Sequence, residues 1–270
     1  MAGLQRKIAR SPGRCIFCGN GKLTAEHFWP EWASSLLPNG RELSYYDFAS
    51  KFDRTTGRVD VTKNYKRQGS VTTKRLRVVC APCNNGWMSQ LESGAKPILS
   101  PMAKGAKLAI TPEMQEKLAT WIALKVMVAE HNIIKEVVSD ETVRHKFRND
   151  RVVPEGFQIW ILRCGAPRWR SRYHRYAAHL SVSSSPAEST DRKNTQGVTF
   201  GFGEALIAVL HTRVPGLTLD LRIAEPFGLK LWPLPGGHLE WPPTGLPAIA
   251  ADDIAKAVER FVQSPAGKLE

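Results

Sequence analysis

The chain of 270 residues is 42% hydrophobic and 23% charged, the balance of a folded globular protein and not of a disordered tail. Its 38 Lys and Arg outnumber 25 Asp and Glu, for a net charge of +13. An excess of that sign favours a polyanionic partner, because basic side chains gain free energy by displacing counterions condensed on phosphates. No apolar run approaches the roughly 18 residues of a membrane span, and the basic opening MAGLQRKIARSPGR lacks the apolar segment of a signal peptide. The expectation is a cytoplasmic protein without membrane contact.

The length allows two domains, and the charge density suggests where they divide. Residues 1–95 carry 15 Lys or Arg against 7 Asp or Glu, a net of +8, whereas the other 175 residues carry 23 against 18, a net of +5. Residues 1–95 hold two C-x-x-C pairs, Cys15/Cys18 and Cys80/Cys83, with 61 residues between them. Between the pairs, Asn39-Gly40 and Thr56-Gly57 mark turns among polar, basic stretches. The run LRVVC reads as a strand delivering the second pair, and NNGWMSQLES opens a helix with Asn84 or Asn85 as its N-cap.

Residues 96–270 read as an α+β domain with an antiparallel sheet. Thr111-Pro112-Glu113 starts a helix that runs to about His131, since Thr caps, Pro tolerates the first turn and Glu suits the dipole. His131 then stands where a cation favours the dipole. Ser139-Asp140-Glu141 starts a shorter helix to about Arg148. Strand-like runs follow in FQIWILRC, YAAHLSVS, GVTFGFG, ALIAVLHT and LTLDLRI; LWPLPGGHLEWPPTGLP reads as irregular, and DDIAKAVERFV as a closing amphipathic helix. Cys164, at the end of an apolar run, reads as a buried thiol. His145, His179, His211 and His238 lack partner spacing and read as structural.

The cysteines point to chemistry first. In a reducing compartment a disulfide framework is not expected. Two C-x-x-C knuckles can aim four thiolates at one tetrahedral zinc, soft ligands matching a borderline-soft cation, and such a site supplies folding free energy directly. Trp29, Trp32 and Trp87 are expected to pack around it.

With CIFC, then EHFWP, then CAPCNN, the order of motifs resembles the HNH endonuclease family over residues 13–95, in a form with Glu where Asp is more usual. The resemblance implies a zinc-braced ββα-metal fold that hydrolyses DNA phosphodiesters. It implies His27 as general base, with Glu26 and Asn84 as ligands of a catalytic Mg²⁺ or Mn²⁺, and a zinc at Cys15, Cys18, Cys80 and Cys83 that takes no part in cleavage. The chain departs from the pattern in three places: Arg75 stands where the family's orienting Asn lies, Met88 stands at the later helix position, and 52 residues separate His27 from Cys80. Asn64, inside that long insertion, is a substitute for the orienting Asn. Glu92, two turns beyond Asn84, reads as a solvated helix residue.

Two basic clusters are candidate phosphate contacts. One comprises Lys63, Lys66, Arg67, Lys74, Arg75 and Arg77 in the insertion; the other comprises Arg163, Arg168, Arg170, Arg172 and Arg175, with Trp169, Tyr173 and His174 interleaved. Arginine forks fit phosphate oxygens, and aromatic faces stack on bases. The alternative class is a non-catalytic zinc-knuckle protein that binds DNA or RNA. A third is a structural zinc module for protein contacts.

Overall fold

A computed structural model describes residues 13–36, 44–53, 58–68, 74–165, 171–180, 193–215, 224–250, 253–254 and 256–257. Strand β1 (Leu23–His27) pairs antiparallel with β4 (Arg75–Cys80), and between them β2 (Ser44–Asp53) and β3 (Arg58–Gln68) form their own antiparallel pair. The long insertion is therefore a hairpin, with Ser44 opposite Gln68 at one end and Asp53 opposite Arg58 at the other. The turns expected at Asn39-Gly40 and Thr56-Gly57 lie outside the described residues.

Helix follows β4 without a loop. A short helix α1 (Ala81–Cys83) leads into a π-helical turn, Asn84–Met88, kinked at Gly86, and then into α2 (Ser89–Ala103). The N-cap is Cys80, still extended at φ −87° and ψ 160°, and not Asn84 or Asn85. Pro82 explains the earlier start, because proline's fixed φ and missing N–H suit a first helical turn. Residue 95, where the composition divides the chain, lies within α2. One apolar core extends from Ile16 and Val79 through Ala95 and Leu99 to Trp121 and Phe200.

The larger sheet has five antiparallel strands in the order β10-β6-β9-β8-β7, comprising β6 (Phe157–Arg163), β7 (Ser171–Ala178), β8 (Thr195–Phe202), β9 (Ala205–Thr212) and β10 (Gly228–Trp232). Its central strands β6 and β9 are apolar nearly throughout because both faces are covered. Side chains alternate between two cores, Ile159, Ile161 and Val209 facing one, and Trp160, Leu162 and Leu210 the other. β7 begins five residues before the expected YAAHLSVS strand, because it pairs with β8 along its whole length, Ser171 opposite Phe202 and Ala178 opposite Thr195. The run expected to be irregular contains the strand β11 (Leu239–Trp241), which pairs with β5 (Leu108–Ile110). Trp241 Nε1 donates to Met102 O at 3.2 Å. LTLDLRI and most of the closing helix lie outside the described residues.

Helix α3 (Pro112–Glu130) crosses the interior. Thr111 caps it by accepting from Met114 N–H, as the sequence implies. Two of its buried polar side chains bond distant segments, and the first is Gln115, whose Nε2 donates to Ile110 O and Gly237 O. The Glu130 carboxylate accepts from the Val138 and Ser139 N–H groups, the Ser139 hydroxyl and Gln196. A second helix, α4 (Glu141–Asp150), is capped by Asp140. Among the described residues no helix is long and apolar enough to cross a membrane.

The end of α3 corrects one expectation. His131 does cap the helix, but at 8% exposure it is not a cation: burial, then Arg144 and Arg175, push its pKa down to about 3. Burial, then Arg213 and Arg175, do the same to His211, also to about 3, where the ring stacks on Phe157. Both rings are neutral when folded, while in the unfolded chain they protonate near the ordinary value of 6.5. Their contribution is therefore complete above that value and is lost as pH falls from 6.5 toward 3, at up to about 1.4 kcal/mol per pH unit per ring. Urea titrations across this window should show falling stability, with a shallower fall in His211→Gln. An unchanged slope would contradict a neutral buried His211.

Candidate functional site

The two cysteine pairs meet at one end of the β1–β4 pair. Residues Cys15–Asn20 close a tight loop in which Cys15 N–H donates to Asn20 O and Gly19 N–H to Cys15 O. Gly19 adopts φ +73°, a left-handed conformation that glycine reaches without strain. Ile16 N–H donates to Val78 O, and Leu23 lies opposite Cys80, so backbone bonds fix the first knuckle against the second. The four Sγ atoms all lie within 4.8 Å of one another, with Cys18 and Cys80 at 3.4 Å and no disulfide formed.

Tetrahedral zinc with bonds of about 2.3 Å sets sulfur atoms about 3.8 Å apart, so the four cysteines could hold a zinc ion. Burial above all, with the neighbouring thiols adding to it, pushes the Cys80 thiol up to about 12, and a bound divalent cation reverses that preference by deprotonating its thiol ligands. Among the described residues, no other group of His, Cys, Asp and Glu side chains comes close enough to share an ion.

Aromatic packing supports the knuckles. Phe17 meets Trp87 edge-on at 5.0 Å, Phe147 closes the group, and Arg151 lies over Trp87 at 4.1 Å. Arg144 Nε donates to Ile16 O at 2.9 Å. Of the three tryptophans expected here, Trp87 packs in this way. Trp29 instead meets Phe28 and Phe200, and Trp32 lies under Lys96.

Toward the other end of the pair, an irregularity between Thr24 and Glu26 resets the register, so that Glu26 opposes Leu76 and His27 opposes Arg75. Arg75 Nε donates to His27 Nε2 at 2.9 Å. Arg75, at the position where the resemblance leads one to expect an Asn, thus contacts the imidazole directly. An Nε2 that accepts keeps its lone pair, which leaves the ring proton on Nδ1 in the neutral form. His27 is half-buried. Phe28 N–H donates to Lys74 O, and the Lys74 ammonium lies 5.0 Å from the Phe28 ring centroid.

Glu26 leads inward. Its carboxylate accepts from Lys125 Nζ of α3 at 3.0 Å, and the same ammonium donates to His27 O at 2.7 Å. The side chains of Lys125 and Glu26 are only 7% and 9% exposed. Asn84 goes elsewhere: its Nδ2 donates to Thr24 Oγ1 at 3.4 Å, near the cysteines. No hydrogen bond joins Asn84 to Glu26. The two expected ligands of Mg²⁺ or Mn²⁺ are therefore not brought together, and one of them is already neutralised by a lysine. A catalytic divalent ion does not fit the residues present.

Glu92 is not the solvated residue expected. It is half-buried in α2; burial raises its pKa, Lys125 pulls it back, and Glu26 raises it again.

The basic clusters are only partly placed. Backbone register puts Lys63 opposite Ala49, Asn64 opposite Phe48, Lys66 opposite Tyr46 and Arg67 opposite Tyr45. The side chains of Lys63, Asn64, Lys66, Arg67 and Arg172 lie outside the described residues, as do Arg168 and Arg170 altogether. Arg175 is not on a solvated face: its side chain is 6% exposed and bonds Gln196 and Glu136. Arg163 pairs with Glu204 at 2.9 Å, and Tyr173 packs against Phe28. Cys164 is a buried thiol, as expected.

Sequence reasoning missed Lys125. The available signal was a lone charge at the centre of IALKVMVA, an otherwise apolar stretch of a buried helix. Comparison with known protein families, characterised proteins and solved structures finds no match.

Metal analysis of the purified chain should find about one zinc per molecule, as a four-thiolate site requires. Cys80→Ser should release it and lower the melting temperature, because structural zinc contributes folding free energy. Zinc-free protein that melts like the zinc-loaded form would refute the assignment.

Proposed function

We propose that this chain is a zinc-braced endonuclease of HNH type that hydrolyses DNA phosphodiester bonds with His27 as general base. The observation that carries the reading is the Arg75–His27 hydrogen bond on a strand pair anchored by four clustered thiols. The bond sets an imidazole beside a guanidinium on two neighbouring strands, and in this reading the first accepts a proton and the second binds phosphate. Zinc at Cys15, Cys18, Cys80 and Cys83 holds knuckle, strands and helix in register and stays out of the reaction.

The chemistry follows from those two side chains. Arg75 exchanges its bond to His27 for the phosphate oxygens, where a guanidinium fork fits and offsets the growing charge. The exchange frees Nε2 to take a proton from water as the water oxygen bonds to phosphorus. The bond from phosphorus to the leaving deoxyribose oxygen breaks, and that oxygen takes a proton from solvent. Lys63, Lys66, Arg67, Arg168, Arg170 and Arg172 supply further phosphate contacts in this reading, in keeping with the net charge of +13. The ion pair that engages Glu26 favours a second reading, a zinc-knuckle protein that binds DNA or RNA without cutting it.

Supercoiled plasmid and single-stranded DNA, incubated with the protein and Mg²⁺ or Mn²⁺, separate the two. An endonuclease nicks or cuts. His27→Ala should keep its zinc and lose about 10²–10⁴-fold in rate, and Arg75→Ala about 10²–10³-fold. DNA retained but uncut, with both variants behaving like wild type, means a binder.

A further inference from the structure

Lys125 is the least expected side chain in the molecule. It lies in the middle of α3 between the buried Leu124 and Val126, and its ammonium reaches one carboxylate oxygen of Glu26 and the backbone oxygen of His27. Lys125 lines a small cavity together with Phe28, Trp29, Trp121, Ala129 and Phe200. Those walls are mostly aromatic and aliphatic, so an ammonium displaced from Glu26 would leave its two oxygen partners for an apolar lining. Breaking a buried pair in that way is strongly unfavourable, because it leaves one charge uncompensated.

The partners of this ammonium are the kind a hard divalent cation takes. Mg²⁺ and Mn²⁺ bind carboxylate and carbonyl oxygens, and Glu26 together with the His27 carbonyl offers both. Ammonium and metal ion cannot fill one position together.

We propose that the Lys125 ammonium takes the place of a divalent cation beside Glu26, so that the chain holds no divalent ion there and Lys125 is a positioning residue for the Glu26–His27 end of β1. The lysine fixes the backbone of the residue that carries the imidazole and neutralises the carboxylate next to it. It comes from the part of the chain beyond residue 95, so residues 13–95 do not form this end of the site alone. The inference rests on the proposed nuclease reading for the role of His27, but its test does not use cleavage.

The test is a titration of the zinc-loaded full chain with Mn²⁺, read from the free Mn²⁺ signal in electron paramagnetic resonance. Mn²⁺ suits because it prefers oxygen ligands and competes poorly for thiolates. Wild type and Glu26→Gln should titrate alike, neither holding Mn²⁺ at this place. Lys125→Ala, or Lys125→Met if the smaller side chain fails to fold, should gain an additional Mn²⁺ equivalent, and combining either with Glu26→Gln should remove it. Mn²⁺ bound by wild type and lost in Glu26→Gln overturns the proposal, and so does a folded Lys125 variant that gains no Glu26-dependent ion. If neither Lys125 variant folds, wild type against Glu26→Gln decides alone. A chain that gives the expected titrations but never cleaves DNA loses the nuclease reading and keeps the lysine in the cation's place.

Discussion

Four thiols from two distant segments share one small volume, and the rest of the N-terminal architecture depends on their being held there. As thiolates they would repel one another, and as thiols they offer little attraction, so a zinc ion, which the four could hold, would make the arrangement favourable. The first knuckle bonds through Ile16 to Val78, the strand pair begins with Leu23 opposite Cys80, and helix starts at Ala81, immediately after a cysteine. Each of these elements is short: β1 has five residues and β4 has six. An isolated pair of strands this small is marginal in water. Here it is flanked at one end by the cysteines and tied to α3 through Lys125 at the other.

Strand β1 separates two electrostatic environments. On one side Arg75 meets His27 within reach of solvent. On the other side Lys125 meets Glu26 in the interior, where nothing from solvent competes well. The irregularity between Thr24 and Glu26 sets which residue faces which way. A one-residue change of register would turn the histidine inward and expose the glutamate. The same short segment thus holds a contact near solvent and a buried one, and both are made by cations.

Much of this was legible in the residues. The paired C-x-x-C spacing identified the thiol cluster, because ligand spacing is local and survives any insertion between the pairs. Thr111-Pro112-Glu113 and Asp140-Glu141 identified two helix starts through capping chemistry that is equally local. The apolar runs of β6 and β9 matched strands covered on both faces. What was not legible depends on partners far away in sequence. Glu26 was read as a metal ligand because its true partner, Lys125, is 99 residues distant. Arg175 is expected among the phosphate contacts, whereas it stands opposite Val198 of β8 and its buried side chain donates to Gln196. β7 itself begins earlier than its apolar pattern suggests, since pairing with a neighbour of equal length decided its ends.

The central claim is that one zinc is held by four sulfurs and by nothing else in the chain. Zinc K-edge X-ray absorption on the purified full-length protein tests it most directly, because the bond lengths separate sulfur from lighter ligands. The account predicts four sulfur scatterers at about 2.3 Å and none of the nitrogen or oxygen shell expected at about 2.0–2.2 Å. A spectrum that needs a nitrogen or oxygen ligand would contradict it, because the zinc would then be bound by something other than the four cysteines alone.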